Sequence, residues 1–300
     1  MRVALVGCGR WGSLVLRDLR ALECEVPVVA RSDASVNRAT AGAAAAIVPT
    51  VDALPPVDAV VVATTTSSHL DVLDQVLPLG VPVYVEKPLC REPTGARRIV
   101  AAAGDRVFVM DKWRYHPGVE LLAQIARTER LGEAHGLRTT RVGWGATHDD
   151  VDGVWTLTPH DLAIALEILG SVPQPVAAAG AVDGAGSVVL EAMLDAGGVW
   201  HSLTVSDRSP ARERRVELHC ERGTAVLAGG WDEHVSVYGL PDGGAPEEER
   251  LAASGELPLM AELRAFVEHV RGGPPPRSSA AEALAVVEAI AGLRALAGLP

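Results

Sequence analysis

Two lysines stand out among the basic side chains of this sequence. Of the 27 basic residues, only Lys87 and Lys112 are lysines, and all the others are arginines. An arginine keeps its proton near neutral pH, whereas a lysine amine can release one where its surroundings disfavour the charge. Where arginine serves almost everywhere else, a lysine indicates a position that requires an amine. Lys87, in Glu86-Lys87-Pro88 at the end of an apolar run, is the first candidate for proton transfer.

A glycine-rich segment lies close to the start of the chain. It follows the apolar residues 3–6 and has the spacing GxGxxG. In such a segment the first glycine permits a tight turn, and the second lets the backbone approach a pyrophosphate. The third glycine lets helix and strand pack closely, and the helix N-terminus faces the anion. The spacing predicts a dinucleotide-binding loop formed by Gly7, Gly9, Arg10, Trp11 and Gly12.

The residues after the second apolar run bear on the choice of dinucleotide. An NAD site usually has an acidic residue about 20 positions after the glycines, which binds the ribose 2′-hydroxyl. Here that position holds Arg31, followed by Ser32 and Asp33. A guanidinium and a hydroxyl suit a 2′-phosphate better than a diol. The segment therefore favours NADP, while Asp33 keeps NAD possible; a solvated surface arginine is the alternative for Arg31.

The elements that must position these residues alternate between strand and helix in the first half of the chain. Strands that are apolar on both faces, with helices between them, are typical of a buried parallel sheet, and ligands bind at the carboxyl ends of its strands. We therefore predict an α/β fold whose N-terminal Rossmann domain has a parallel sheet. The predicted strands are 3–7, 26–30, 59–64, 81–87 and 107–111, and the predicted helices are 13–22, 68–77 and 93–103.

The second half of the chain has shorter runs that are separated by turn signals. This pattern predicts a C-terminal α+β domain with a mainly antiparallel open sheet. The segment 242–250 is expected to be an exposed loop, and the domains are expected to be 1–115 and 116–300. The predicted strands are 135–143, 187–194, 198–206, 213–220, 224–228 and 234–238, and the predicted helices are 118–129, 159–169, 258–271 and 278–297.

Five short motifs stand in order along the chain: GCGRWG at 7–12, ATTTSSH at 63–69, EKP at 86–88, DKWRYHP at 111–117 and TPHDL at 158–162. In sequence and in order they resemble those of the Gfo/Idh/MocA oxidoreductases, over nearly all of the chain. This family oxidises or reduces sugars, polyols and related carbonyls with a nicotinamide cofactor. The resemblance implies that Lys87 lies beside the nicotinamide and the reacting oxygen, and that Pro88, often cis in such proteins, aims the lysine.

The resemblance implies further cofactor contacts in the first domain. Glu86 would pair with nearby groups and with the cofactor. Thr64, Thr65 and His69 would lie along the cofactor edge. A structural role at the start of a helix is the alternative for His69.

In the second domain, the family carries an Asp and, four residues later, a His that faces the nicotinamide. His160 matches the His, but Thr156 occupies the position of the Asp. Because the carboxylate that would strengthen the imidazole as a base is missing, Lys87 is expected to be the main proton donor or acceptor. Hydrogen bonding to substrate without proton transfer is the alternative for His160. Asp161 lies about 100° around the helix from His160 and is expected to cap or position the helix start.

Other candidates surround the expected substrate cleft. The resemblance places Trp113, Arg114, Tyr115 and His116 at its mouth, with packing at a domain hinge as the alternative. Trp155, Thr156, His160 and Asp161 are also expected to contact substrate. An acidic cluster lacks the ligand spacing of a metal site, so we expect no metal there and a substrate-loop role instead. The cluster comprises His148, Asp149, Asp150 and Asp152.

Together these features predict hydride transfer between a nicotinamide and a carbonyl or alcohol carbon of a sugar, nucleotide sugar or cyclitol. A C=N (imine) reductase and a cofactor-binding sensor without turnover are the alternatives. The net charge of −11 argues against nucleic acid. The absence of a signal peptide, a membrane span or paired cysteines favours the cytoplasm. The resemblance implies a homodimer or homotetramer, paired through the open face of 187–194 and 198–206 near Trp200.

Overall fold

A computed structural model describes residues 1–145, 150–240 and 247–299. The chain forms two compact units. The first comprises Met1–Lys112 and Leu259–Val287, and the second comprises Trp113–Pro258 and Glu288–Pro300. The boundary after Lys112 lies close to the predicted one at 115. The division differs from the prediction at residues 259–287, which were expected in the second domain.

The first unit is built on a parallel sheet of six strands, which confirms the predicted Rossmann architecture. Its order is β3-β2-β1-β4-β5-β6, and every neighbouring pair is parallel. Every residue of β1, β4, β5 and β6 is buried, as expected when helices cover both faces. The short β3 was not predicted, because its alanine-rich sequence gives no strand pattern. The strands are β1 Val3–Val6, β2 Pro27–Val29, β3 Ala46–Val48, β4 Ala59–Val62, β5 Val83–Glu86 and β6 Val107–Met110.

Helices of the first unit come from both ends of the chain. Leu263 and Phe266 belong to the same hydrophobic core as the strands, and the Phe266 ring stacks on Tyr84 with centroids 4.8 Å apart. This packing explains why the segment 259–287 joins the first unit. The helices are α1 Arg10–Ala21, α2 Asp33–Ala41, α3 His69–Val76, α4 Pro93–Ala103, α7 Pro258–Val270 and the first part of α8 Ala280–Leu296.

The second unit contains an eight-stranded sheet in the order β14-β13-β12-β11-β7-β10-β9-β8. All its described pairs are antiparallel except β7 with β10, which confirms the predicted mainly antiparallel sheet. The strands are β7 Ala134–Trp144, β8 Gln174–Val182, β9 Val188–Ala196, β10 Val199–Ser206, β11 Arg208–Cys220, β12 Gly223–Leu227, β13 His234–Gly239 and β14 Glu248–Ala252.

Both edge strands of this sheet were missed by the sequence analysis. The prediction of a loop over 242–250 is wrong at 248–250, which belong to the strand Glu248–Ala252 that pairs with β13; residues 242–246 lie outside the described residues. The charged side chains of this strand give no strand pattern in the sequence. Glu249 pairs with Arg130 at 2.7 Å, and Glu248 pairs with Arg250 of the same strand at 3.0 Å. Charged side chains are a common feature of edge strands.

Three helices pack in the second unit. They are α5 Pro117–Arg127, α6 Gly153–Leu169 and the end of α8. Helix α6 begins six residues before the predicted start at 159, since Pro159 lies inside it. Its N-cap is Asp152, whose Oδ1 accepts hydrogen bonds from the backbone N–H groups of Val154 at 3.0 Å and Trp155 at 3.4 Å.

Among the described residues, every helix is too short or too polar to cross a lipid bilayer. The four cysteines, Cys8, Cys24, Cys90 and Cys220, are buried free thiols. None of them forms a disulfide bond, in line with their scattered spacing.

Candidate functional site

The glycine loop after β1 has the local geometry that its spacing predicts. Gly7 has a φ of 94°, and a Cβ there would lie 2.7 Å from the carbonyl oxygen of Ala63. A Cβ at Gly12 would collide with the carbonyl oxygen of Gly7. A Cβ at Gly9, by contrast, would meet no atom within 4 Å. Gly7 and Gly12 therefore leave no room for a side chain, whereas Gly9 has open space beside its backbone.

The N-terminus of α1 has no side-chain cap. Gly9 occupies the N-cap position, so no side chain accepts from the first N–H groups of the helix. Uncapped N–H groups and the helix dipole favour an anion at this point. Arg10 is exposed, and Trp11 is half-buried with Lys112 Nζ 4.3 Å from its ring centroid. These features fit the pyrophosphate of a dinucleotide.

The segment after β2 holds the residues predicted to select the dinucleotide. Arg31 is exposed. Ser32 is the N-cap of α2, and its Oγ accepts a hydrogen bond from the backbone N–H of Ser35 at 3.2 Å. Asp33 is the first residue of that helix. The Ser32 hydroxyl therefore has a structural task, and Arg31 is the side chain left to contact a ligand.

The loop after β4 is tied to the loop after β5 by a buried histidine. His69 is fully buried, and its Nδ1 lies 2.9 Å from the carbonyl oxygen of Pro88. Because a carbonyl only accepts, Nδ1 carries the proton; Nε2 lies 3.4 Å from the carbonyl oxygen of Thr64. This geometry favours the structural alternative for His69.

The two threonines of this loop differ in their surroundings. The Oγ1 of Thr64 is buried and has no hydrogen-bond partner among the described residues, so a ligand could use it. The Oγ1 of Thr65 lies 3.2 Å from the Oγ of Ser68, which donates back to the Thr65 carbonyl at 2.8 Å. Thr65 thus takes part in a local turn.

Lys87 follows β5 at the same edge of the sheet as the glycine loop. The Lys87–Pro88 peptide bond is cis. Glu86 is buried, and its Oε2 accepts a hydrogen bond from the Lys87 backbone N–H at 3.1 Å. Burial raises the pKa of Glu86 to about 7, against the opposing effects of the Lys87 and Lys112 charges. The carboxyl beside the candidate lysine is thus close to half-protonated near neutral pH.

A second buried carboxyl lies close to Glu86, and the sequence analysis missed it. Glu262 on α7 is fully buried, and burial, followed by the charge of Glu86, raises its pKa well above the usual range. Lys112 and the Tyr84 hydroxyl partly offset this effect. Its spacing gives a signal: Leu259, Glu262, Leu263 and Phe266 fall on one helical stripe, so Glu262 occupies a core position.

In the second unit, α6 carries Thr156 and His160 four residues apart, on one helical face. Thr156 is buried, and its Oγ1 donates to the carbonyl of Gly153 at 3.3 Å. Asp161 does not cap the helix, as the sequence analysis expected, because α6 begins eight residues earlier. Instead it forms a buried ion pair with Arg141, with Oδ2 2.7 Å from Nε. Trp155 is buried, with the Arg294 guanidinium 5.8 Å from its ring centroid.

The residues after β6 are packed within the second unit. Arg114 Nε lies 3.0 Å from Glu167 Oε2, and both side chains are largely buried. His116 caps α5: its Nδ1 accepts from the Gly118 N–H at 3.1 Å, and its Nε2 donates to the Gly230 carbonyl at 3.0 Å. Burial lowers its pKa. Tyr115 is buried as well. These contacts favour the packing alternative for Arg114 and His116.

The acidic cluster near residue 150 is only partly described. His148 and Asp149 lie outside the described residues. Asp152 caps α6 and pairs with Arg294, with Oδ2 2.7 Å from Nη1. The described residues contain no group of three or more side chains that could hold a metal. Trp144 is exposed at the end of β7.

Comparisons with known proteins agree with this geometry. A family model described as "Oxidoreductase family, NAD-binding Rossmann fold" (GFO_IDH_MocA) matches residues 1–109. The chain is 26% identical over 263 residues to inositol 2-dehydrogenase of Rhizobium meliloti (strain 1021), covering 83% of this chain and 76% of that protein. It is 28% identical over 225 residues to UDP-N-acetylglucosamine 3-dehydrogenase of Acidithiobacillus ferrooxidans, covering 72% and 71%.

Solved structures share the fold over almost the whole chain. The structure of the Acidithiobacillus ferrooxidans UDP-N-acetylglucosamine 3-dehydrogenase matches with a TM-score of 0.83 at 22% identity, covering 99% of this chain and 97% of that one. Levoglucosan dehydrogenase in complex with NADH and levoglucosan matches with a TM-score of 0.86 at 15% identity, with the same coverage. At these identities the likeness shows the fold.

Proposed function

Because the chain belongs to the Gfo/Idh/MocA oxidoreductases, we propose that it transfers a hydride between a nicotinamide dinucleotide and a carbonyl or alcohol carbon of a sugar, nucleotide sugar or cyclitol. The proposal rests on the groups that lie at the carboxyl ends of the strands in the first unit's sheet. There the uncapped N-terminus of α1 follows β1, and Lys87 follows β5, two strands away in the sheet. Ligands of open parallel sheets bind at this edge.

The protein's own groups have separate tasks in this proposal. The bound nicotinamide supplies the hydride or accepts it. The glycine loop and the N–H groups of α1 bind the pyrophosphate, and the Thr64 hydroxyl donates to the cofactor. Lys87 gives a proton to the substrate oxygen during reduction, or takes it during oxidation. His160 is the second candidate for that proton, on the family resemblance.

A turnover screen tests the proposal. The full chain is incubated with sugars, nucleotide sugars, cyclitols and cyclic imines, each with both dinucleotides, and the nicotinamide absorbance is followed. Turnover of an alcohol or carbonyl substrate supports the proposal. Turnover of imines alone would reassign the chain to C=N reduction. Cofactor binding without any turnover would favour the sensor, an alternative prompted by the missing carboxylate at position 156.

We further propose that the chain prefers NADP(H). Arg31 is exposed directly after β2, while Ser32 is engaged in capping α2. A guanidinium hydrogen-bonded to a phosphate contributes roughly 1.5–3 kcal/mol, which is about a tenfold to hundredfold difference in affinity. NADP⁺ should therefore bind more tightly than NAD⁺, and Arg31→Ala should remove most of the difference. Calorimetric titration measures both affinities, with the exposed Arg91→Ala as a control. Equal affinities in the unmodified protein would leave NAD as the cofactor.

A further inference from the structure

Two arginines lie directly opposite each other in the sheet of the second unit. Arg141 on β7 and Arg214 on β11 are cross-strand partners. By the alternation of side chains along a strand, they share the face of Leu137 and Val216, which pack in the core with α5 and α6. Like charges in this relation destabilise a sheet. Their presence calls for an explanation other than stability.

The nearby negative charge does not balance this pair. Asp161 forms its ion pair with Arg141. Within the described part of the chain, Arg214 Nη1 donates hydrogen bonds to the backbone carbonyls of Val142 and Glu213. Burial, followed by the charge of Arg141, lowers the pKa of Arg214 to about 10, so it keeps its charge at neutral pH. One carboxylate therefore faces two guanidinium groups.

A third arginine and a buried glycine, Gly143, adjoin the pair. Arg212 lies two residues before Arg214, in a stretch of β11 where the pairing with β7 is irregular. A Cβ at Gly143 would lie 3.8 Å from both Arg212 Cγ and Arg214 Nη2, so the two side chains lie over this glycine. The Arg141 guanidinium stacks over the Trp113 ring at 4.6 Å. The arginines thus converge beside an aromatic face.

We propose that Arg141, Arg212 and Arg214 form a subsite for an anionic oxygen group of the substrate, a carboxylate or a phosphate. Planar guanidinium groups bind both kinds of anion with paired hydrogen bonds. The proposal rests on the function proposed above, and it narrows the substrate from sugars in general to charged ones.

The subsite lies next to the helix that carries the second candidate for proton transfer. Asp161, which holds Arg141, is the residue after His160 on α6. An anion bound by the arginines would therefore be anchored through the same helix as His160. A purely structural ion pair would need Arg141 and Asp161 alone, whereas Arg214 and Arg212 add positive charge that an anionic ligand would neutralise.

Calorimetric titration of the full chain tests the subsite. UDP provides phosphate and D-glucuronate provides carboxylate, with uridine and D-glucose as their uncharged counterparts. We expect at least one of the anions to bind, and Arg214→Met to weaken its binding about tenfold to hundredfold. Stronger binding of UDP would identify a phosphate, and stronger binding of glucuronate a carboxylate.

Matched variants make the test specific. Arg215→Met is the control, because Arg215 points to the opposite face and pairs with Glu217 at 2.6 Å. Arg212→Ala is the second test variant, since an exposed side chain can be removed without loss of the fold. The proposal is overturned if neither anion binds at millimolar concentration, or if both test variants bind it like the unmodified protein. Since titration needs no turnover, a failure of hydride transfer would count against the proposed function alone.

Discussion

Lys87 is the residue on which the proposed proton transfer depends. General acid–base groups typically contribute about 10²–10⁴-fold to a rate. Lys87→Ala should therefore slow hydride transfer by about 10²–10⁴-fold, and Lys87→Arg should not restore it, because a guanidinium keeps its proton. His160→Ala should cost about 10²-fold or less, because Thr156 supplies no charge to the imidazole. Single-turnover hydride transfer at several pH values measures these effects.

Cofactor binding is measured separately for each variant, and Arg91→Ala, an exposed arginine after the same strand, controls for loss of a charge. If Lys87→Ala keeps nearly full hydride-transfer rates while His160→Ala has none, the two roles are exchanged.

The buried carboxyls near Lys87 make stability depend on pH. Below about pH 4.5, Glu262 is protonated in both the folded and the unfolded chain, and burial then costs no ionisation energy. As the pH rises, the unfolded chain loses this proton while the folded chain keeps it, so stability falls until the raised folded pKa is passed. Glu86, with a pKa of about 7 in the folded chain, lowers the stability further as the pH rises from about 4.5 to 7.

Glu262→Gln should therefore stabilise the protein at pH 8 and change little at pH 4.5. The free energy of unfolding should rise at pH 8, because the variant has no carboxyl group whose ionisation burial opposes. Urea denaturation at the two pH values measures it, with Glu268→Gln, exposed on the same helix, as the control. The groups that face Glu262 are Glu86, Asp111, Lys112 and Tyr84. A loss of stability that is equal at both pH values would contradict this account.

The sequence identified some of the important residues and missed others. The glycine loop and Lys87 could be recognised because unusual residue types stand at fixed points of a strand–helix pattern. Glu262 could not be recognised from composition, since a glutamate on a helix is usually solvated; only its place on the apolar stripe marks it. Asp161 was misread because its partner, Arg141, is 20 residues away and meets it only through the fold.

At the scale of elements, the contact between α1 and β1 gives a matched pair of tests. Gly12→Ala should destabilise the protein by roughly 1–3 kcal/mol even without cofactor, because its Cβ meets the Gly7 carbonyl oxygen. Gly9→Ala should destabilise the cofactor-free protein less than Gly12→Ala, because its Cβ meets open space and only the N-cap preference for glycine over alanine is lost. It should nevertheless weaken dinucleotide binding, since the new methyl group keeps the pyrophosphate from the backbone.

Thermal unfolding without cofactor and dinucleotide titration separate the two effects. Equal melting temperatures for Gly12→Ala and the unmodified protein would show that helix and strand have room to move apart. Unchanged dinucleotide affinity in Gly9→Ala would place the pyrophosphate elsewhere.

Buried elements were predicted far better than elements at edges. The strands β1, β4, β5 and β6 are apolar, apart from Glu86 at the end of β5, because both faces are covered, and sequence alone identifies them. The edge strands β8 and β14 have a solvated side, and their alanines or charges give no strand pattern. The first turns of α6 were missed because Pro159 resembles a helix start, while the true start depends on Asp152.

For the whole molecule, we predict a homodimer or homotetramer. Val189 and Met193 on β9 are each more than two-fifths exposed, on the face of the sheet that points away from the core with α5 and α6. If this face pairs with a second copy, Met193→Glu should lower the mass measured by light scattering at micromolar concentration. Leu79→Glu in the first unit, with the same 42% exposure, is the matched control. A monomeric mass for the unmodified protein would refute the prediction.

The return of α7 to the first unit has a consequence for how the chain is made. Residues 1–112 leave the ribosome first, but Leu263 and Phe266, which complete their core, follow only after the 146 residues from 113 to 258. At roughly 5–20 residues per second, the nascent first unit waits about 7–30 s with the ring face of Tyr84 uncovered. During that interval it is an incomplete folding intermediate, which offers an apolar surface to chaperones and to other nascent chains. Its core is therefore completed only after residues 113–258 have been synthesised, and not when residues 1–112 first emerge.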